Sequence, residues 1–164
     1  MSRVAEREAG AEGLLRAGLL GLGFLGSLGT MLELALARHW TGPIQLLPWV
    51  VLAIVSVVIG VVAVRPTHGV IGIARVVAVA SIGAGLFGVF KHVKANYDAA
   101  PLDAVFGSRW EAMSGASRWW HALIESVGPS PSFAPAALAL IAVCLLFATM
   151  RHPESKTIPK LPRT

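Results

Sequence analysis

Four apolar runs dominate this chain of 164 residues: Leu14–Ala37, Ile44–Val64, Val70–Phe90 and Phe133–Met150. Each is close to the roughly 20 residues a helix needs to cross a hydrocarbon core. Backbone N–H and C=O groups in hydrocarbon must be satisfied within their own segment, and a single run can do that only as a helix. The Val- and Ile-rich second run would suggest buried strands in water. At its length a spanning helix is the better reading. The expectation is an all-α integral membrane bundle of four transmembrane helices, forming one membrane domain over residues 1–164.

Composition agrees. The chain is 55% hydrophobic and 14% charged, against about 25% charged in soluble domains. Its net charge of +5 is not gathered into a nucleic-acid-binding stripe. Arg151, Lys156, Lys160 and Arg163 instead form a short tail (151–164), read as facing anionic headgroups on the cytoplasmic side. Cys144 is the single cysteine, which excludes an intrachain disulfide and CxxC-type metal chemistry. Arg3 and Arg7 before an apolar run, with Ala35-Leu36-Ala37 after it, echo a cleaved signal. That run is too long for the roughly 7–15-residue core of a signal, and Glu6, Glu8 and Glu12 dilute the positive start, so the first helix is expected to be retained.

The connections between the first three runs are short. Thr41-Gly42-Pro43 breaks the chain after the first run and Arg65-Pro66-Thr67-His68-Gly69 turns it after the second, because proline restricts both itself and its predecessor. Helices one to three should therefore run up, down and up. Placing both termini inside puts nine Lys and Arg on that side against five outside, the asymmetry of a cytoplasmic face.

Residues 91–132 form the one sizeable polar region, expected on the extracytoplasmic side with one or two interfacial amphipathic helices. Asp103 is expected to cap a helix presenting Phe106, Trp110 and Met113 on one face, and Ser117 a second with Trp119, Trp120, Leu123 and Val127 opposite Arg118, His121 and Glu125. Trp40, Trp110, Trp119 and Trp120 read as interfacial anchors.

Few residues suggest chemistry. Glu33 lies about one turn inside the outer end of the first run, where a carboxylate needs a partner or a proton. By topology His39 and Gln45 from the first loop, and His92, Asn96 and Asp98 beyond the third run, lie at that depth. If the third helix continues, His92 and Asn96 share a face. Glu33, His39 and His92 could ligate a divalent metal, with Asn96, Asp98 and Gln45 completing a polar cluster, or the group could relay protons. The competing reading is a structural network that fastens the outer region. The five histidines all lie at or beyond run ends, leaving His39 with His92, or His68 with His152, as the pairs available to a b-type haem. Arg16 and Arg75 lie near the inner face, long enough to reach lipid headgroups. The glycines of the first run (Gly18, Gly21, Gly23, Gly26, Gly29) and Ala80, Ala84 and Gly88 of the third would let helices approach closely, within the chain or to a partner or second copy. No Ser-His-Asp order, phosphate-binding glycine loop or paired catalytic carboxylates can be made out.

Gly29-Thr30-Met31-Leu32-Glu33 with Ala37-Arg38-His39, the His92-x3-Asn96-x-Asp98 stretch, Gly128-Pro129, Phe133-Ala134-Pro135 and Thr149-Met150-Arg151-His152-Pro153 together resemble a set of small, uncharacterised four-helix membrane proteins of bacteria. The resemblance implies a bacterial inner-membrane setting and transfers no activity, cofactor or partner. The leading expectation is a non-catalytic accessory or interaction subunit of a larger inner-membrane complex. A metal- or haem-binding redox protein built on the Glu/His cluster is the alternative. A small transporter-like protein is a further one, disfavoured because no inverted repeat or broken helix is visible.

Overall fold

The computed structural model describes residues 3–150 and His152, with side chains from Gly10 onward. Five α-helices follow in order: α1 (Arg3–Leu36), α2 (Pro43–Val64), α3 (His68–Ala99), α4 (Gly115–Leu123) and α5 (Ala136–Thr149). Two short 3₁₀ helices, Ala100–Leu102 and Gly107–Ala112, lie between α3 and α4. No strand occurs among the described residues. Three stretches, Gly10–Leu36, Pro43–Val64 and His68–Leu102, are long and apolar enough to cross a membrane.

The fourth apolar run departs from expectation. Its helix, α5, has 14 residues, about 21 Å at 1.5 Å per residue, against a hydrocarbon core of roughly 30 Å. Pro131 and Pro135 hold the preceding residues in turns, so the helix begins only at Ala136. In the opposite sense, α3 continues through the polar stretch beyond Phe90 to Ala99. The Lys94–Asp98 pair at i, i+4 (Nζ to Oδ1 2.5 Å, to Oδ2 2.7 Å) supports that extension. Pro48 lies inside α2 without ending it; near the helix start the missing donor costs one hydrogen bond.

The chain forms two compact units, Met1–Ile82 with Leu138–Thr164, and Gly83–Ala137. In the first, α1 packs on α2. Leu52, Val55, Ile59 and Val62 of α2 form one buried stripe at helical spacing, and Ile71, Ala74 and Ala78 of α3 form another. From α5, Leu138, Ile141, Ala142, Cys144, Leu145 and Ala148 are buried. Two α1 glycines allow close approach. A Cβ at Gly23 would lie 3.1 Å from Ile59 Cδ1, and one at Gly26 3.1 Å from Ile141 Cγ1.

α1 stops in a Schellman arrangement: His39 N–H donates to Leu34 O (2.9 Å) and Arg38 N–H to Ala35 O (3.1 Å). The pivot is Arg38 in the left-handed region at φ 51°, a position glycine fills more cheaply. α5 ends differently. Arg75 of α3 donates from Nη2 to the Thr149 carbonyl at 2.5 Å, placing a cation on the negative end of the helix. Its Nε is buried with no hydrogen-bond partner, so Nη2 carries this contact.

Arg75→Met should lower stability in detergent by about 1–3 kcal/mol, because it removes a charged hydrogen bond from a helix end. Thermal melts in detergent would show the loss, and an unchanged midpoint would contradict that role. Gly26→Val should also destabilise by about 1–3 kcal/mol through overpacking against Ile141, whereas Gly29→Ala, where a Cβ meets nothing within 4 Å, should not.

Candidate functional site

The densest polar arrangement among the described residues lies in the second unit and centres on Asn96. The continuation of α3 places His92 and Asn96 four residues apart on one face, as the spacing suggests. Asn96 is fully buried. Its amide pairs with the Ser130 backbone as one peptide group pairs with another: Ser130 N–H donates to Oδ1 (2.7 Å) and Nδ2 donates to Ser130 O (2.7 Å). Nδ2 also reaches Ala122 O (3.3 Å) and Ser132 Oγ (3.2 Å). An Asn amide has two donor hydrogens and one acceptor oxygen, and all are engaged here.

The surrounding groups close the same loop. Ser132 Oγ donates to Ala122 O (3.1 Å), and Ser132 N–H donates to Glu125 Oε1 (2.6 Å). His92 Nδ1 lies 2.8 Å from Pro131 O. A carbonyl only accepts, so that nitrogen carries the proton. Gly128 passes directly over Asn96 at φ +79°, where a Cβ would lie 2.5 Å from Asn96 Cα. α4 ends in a second Schellman arrangement, with Ser126 N–H on His121 O (3.1 Å) and Glu125 as the left-handed residue at φ 60°. Glycine would be easier there, but only a side chain can reach the Ser132 N–H.

Beneath the polar ring, Val93, Ala100, Trp110, Ala122 and Val127 form an apolar core, with Phe106, Met113 and Leu123 packed against it. Tyr97 meets Trp110 edge-on at 5.4 Å and stacks on Trp119 at 4.7 Å; Phe90 stacks on Trp119 at 6.4 Å. The face Phe106, Trp110, Met113 expected from spacing therefore points inward, although it is carried by a 3₁₀ segment rather than an α-helix. Asp103 accepts from Val105 and Phe106 N–H groups (2.8 and 2.9 Å) before that segment. The residue capping α4 is Ser114, whose Oγ accepts from Ser117 N–H at 3.2 Å, not Ser117 itself. Trp110, read as an interfacial anchor, is a buried core residue because it clusters with Val93, Ala122 and Val127 and meets Tyr97 edge-on. Trp119 and Trp120 are exposed.

The other candidates take up different contacts. Asp98 pairs with Lys94. Gln45 Oε1 accepts from the Thr41 backbone N–H and hydroxyl (2.7 and 2.8 Å), fixing the turn before α2. Trp49 donates from Nε1 to the His39 carbonyl (2.9 Å) and tilts against Trp40 at 6.1 Å. Trp49 lies inside an apolar run, where hydropathy does not single it out, though a tryptophan near a run's end is itself an interfacial signal. Glu33 is exposed on α1. Among the described residues no group of three or more His, Cys, Asp or Glu side chains could hold a metal ion. Arg16 pairs with Glu12 at 3.3 Å, and Arg75 holds the end of α5. Of the tail expected to face headgroups, Arg151, Lys156, Lys160 and Arg163 lie outside the described residues.

Chemically, the Asn96 arrangement is a clamp. Its amide nitrogen and oxygen both bond to groups of residues 122–132, tying that segment to α3. Comparison with family models, with curated proteins and with solved structures finds no match. The resemblance to small four-helix membrane proteins rests on its motifs alone.

Asn96→Leu should destabilise this unit by about 2–4 kcal/mol, since it strands Ser130 N–H and buried carbonyls. Gly128→Ala should be comparably harmful through backbone strain and overlap. Hydrogen exchange at Ser130 would register both; exchange as slow as in the wild type would refute the clamp.

Proposed function

We propose that this chain is a non-catalytic integral membrane protein that serves as an accessory or interaction subunit of a larger bacterial inner-membrane assembly. In this reading α1, α2 and α3 cross the bilayer, the shorter α5 crosses with its flanking turns, both termini are cytoplasmic, and residues 91–132 are extracytoplasmic.

The observation that carries the reading is one face of α1. Gly18, Leu22, Leu25, Gly29, Leu32 and Leu36 recur at alternating intervals of four and three, the period of a helix-pairing seam. The leucines on it are uncovered: Leu22 61%, Leu25 67%, Leu32 61% and Leu36 78% exposed. A Cβ at Gly18 or Gly29 would meet nothing within 4 Å. Gly23 and Gly26, by contrast, are used in packing within the chain. Small residues on an uncovered face let a neighbouring helix come close, which drives association in lipid through van der Waals contact. Glu33 flanks the seam, and a carboxylate there favours a partner bringing a cation or donor.

Gentle extraction from native membranes followed by native mass spectrometry tests this. The wild type should carry additional subunits, and Gly18→Leu or Gly29→Leu should release them while leaving the fold intact. A wild-type chain recovered alone, or an assembly indifferent to both substitutions, would refute the reading.

A further inference from the structure

We infer that the first unit holds one anionic phospholipid, with an acyl chain in a groove between α1, α2 and the end of α5 and its phosphate at Arg16. The inference rests on the membrane reading above and not on the partner seam, which is on the other side of α1.

The groove encloses about 540 Å³, within the roughly 300–1,000 Å³ of small-ligand sites. Its walls are apolar side chains and glycines apart from Arg16 and His152. Three glycines, Gly13, Gly21 and Gly60, line it, and a Cβ on any of them would meet nothing within 4 Å. Missing side chains therefore keep it open.

Its polarity is graded. Pro66, which follows α2, and His152, which follows α5, mark one end as the level where helices terminate. Arg16, with a side chain only 20% exposed, lines the same groove. From Gly13 to Phe24 the α1 wall runs about 16 Å at 1.5 Å per residue, close to half of a roughly 30 Å core and so to one leaflet. A cation where helices end and an apolar trough one leaflet deep match a phospholipid carrying net negative charge. Glu12 already engages Arg16 through Nη2. A phosphate at this guanidinium would compete with or join that carboxylate, by the charge-assisted pairing Arg makes with either group. Arg65 beside Pro66 adds a second cation at this end.

The test uses full-length protein extracted from washed membranes, stripped of lipid in detergent, and titrated with phosphatidylglycerol or phosphatidylcholine under native mass spectrometry. The wild type should retain one phosphatidylglycerol in preference to phosphatidylcholine. Gly21→Leu and Gly60→Leu, at each of which a Cβ meets nothing within 4 Å, should fill the trough and lose that retained lipid at unchanged melting temperature. Arg16→Gln should keep a lipid but lower the headgroup preference about fivefold. Equal retention of the two lipids by the wild type, or retention by both Leu variants, would overturn the assignment. A dimer that the Leu variants dissociate would also overturn it, giving the groove to a second copy. Recovery of the chain in the soluble fraction would instead overturn the membrane reading itself.

Discussion

Backbone N–H and C=O groups that leave water must find partners within their own segment, and here that requirement falls on three apolar stretches of 27, 22 and 35 residues. Once they are helical, side chains decide everything else. The first unit buries narrow stripes of small and branched residues and leaves large apolar ones outside: Val57, Val64, Ile73 and Val76 are all exposed beside buried Leu52, Val55, Ile71 and Ala74. In water that arrangement would be costly at roughly 25 cal/mol per Å². Against hydrocarbon it would cost little, and the membrane reading accounts in this way for so thin an internal core.

Polar groups are then confined to positions where they can be satisfied. Ser27 returns its hydroxyl to the Gly23 carbonyl at 2.9 Å. Arg75 spends its charge on the last turn of α5. In the second unit the problem is different, since residues 100–135 contain only one short α-helix and much of their backbone lacks a ladder. Asn96 resolves part of it by presenting a side-chain peptide group to Ser130. A clamp of this kind fixes a loop in one conformation, a contribution to stability and shape rather than to chemistry.

Much of this was legible in the sequence, and the failures have physical causes. Apolar runs located α1, α2 and the start of α3 because hydropathy reports on the medium a helix must tolerate. It left the end of α3 open, since polarity stops a hydrophobic run without stopping a helix; α3 runs on past Lys91 to Ala99, just before Pro101. It also lengthened α5, because Phe133 and Ala134 are apolar yet held in turns. The shared face of His92 and Asn96 followed from spacing alone. Their partners did not, because Ala122, Ser130 and Ser132 lie 26 to 36 residues from Asn96 and no local pattern announces the pairing. Trp110 was misplaced for a related reason: an aromatic on an amphipathic stretch looks the same whether the face turns to lipid or to Tyr97.

The central claim is that α1, α2 and the apolar part of α3 span a bilayer while the second unit folds around Asn96. Hydrogen–deuterium exchange of the full-length protein in lipid nanodiscs addresses it directly. The account predicts amides over residues 14–36, 43–64 and 70–90 protected for hours, with residues 100–132 exchanging faster as a whole but slowly at Ser130 and Ser132. Fast exchange along the long helices, or a uniformly fast 100–132 segment, would contradict it.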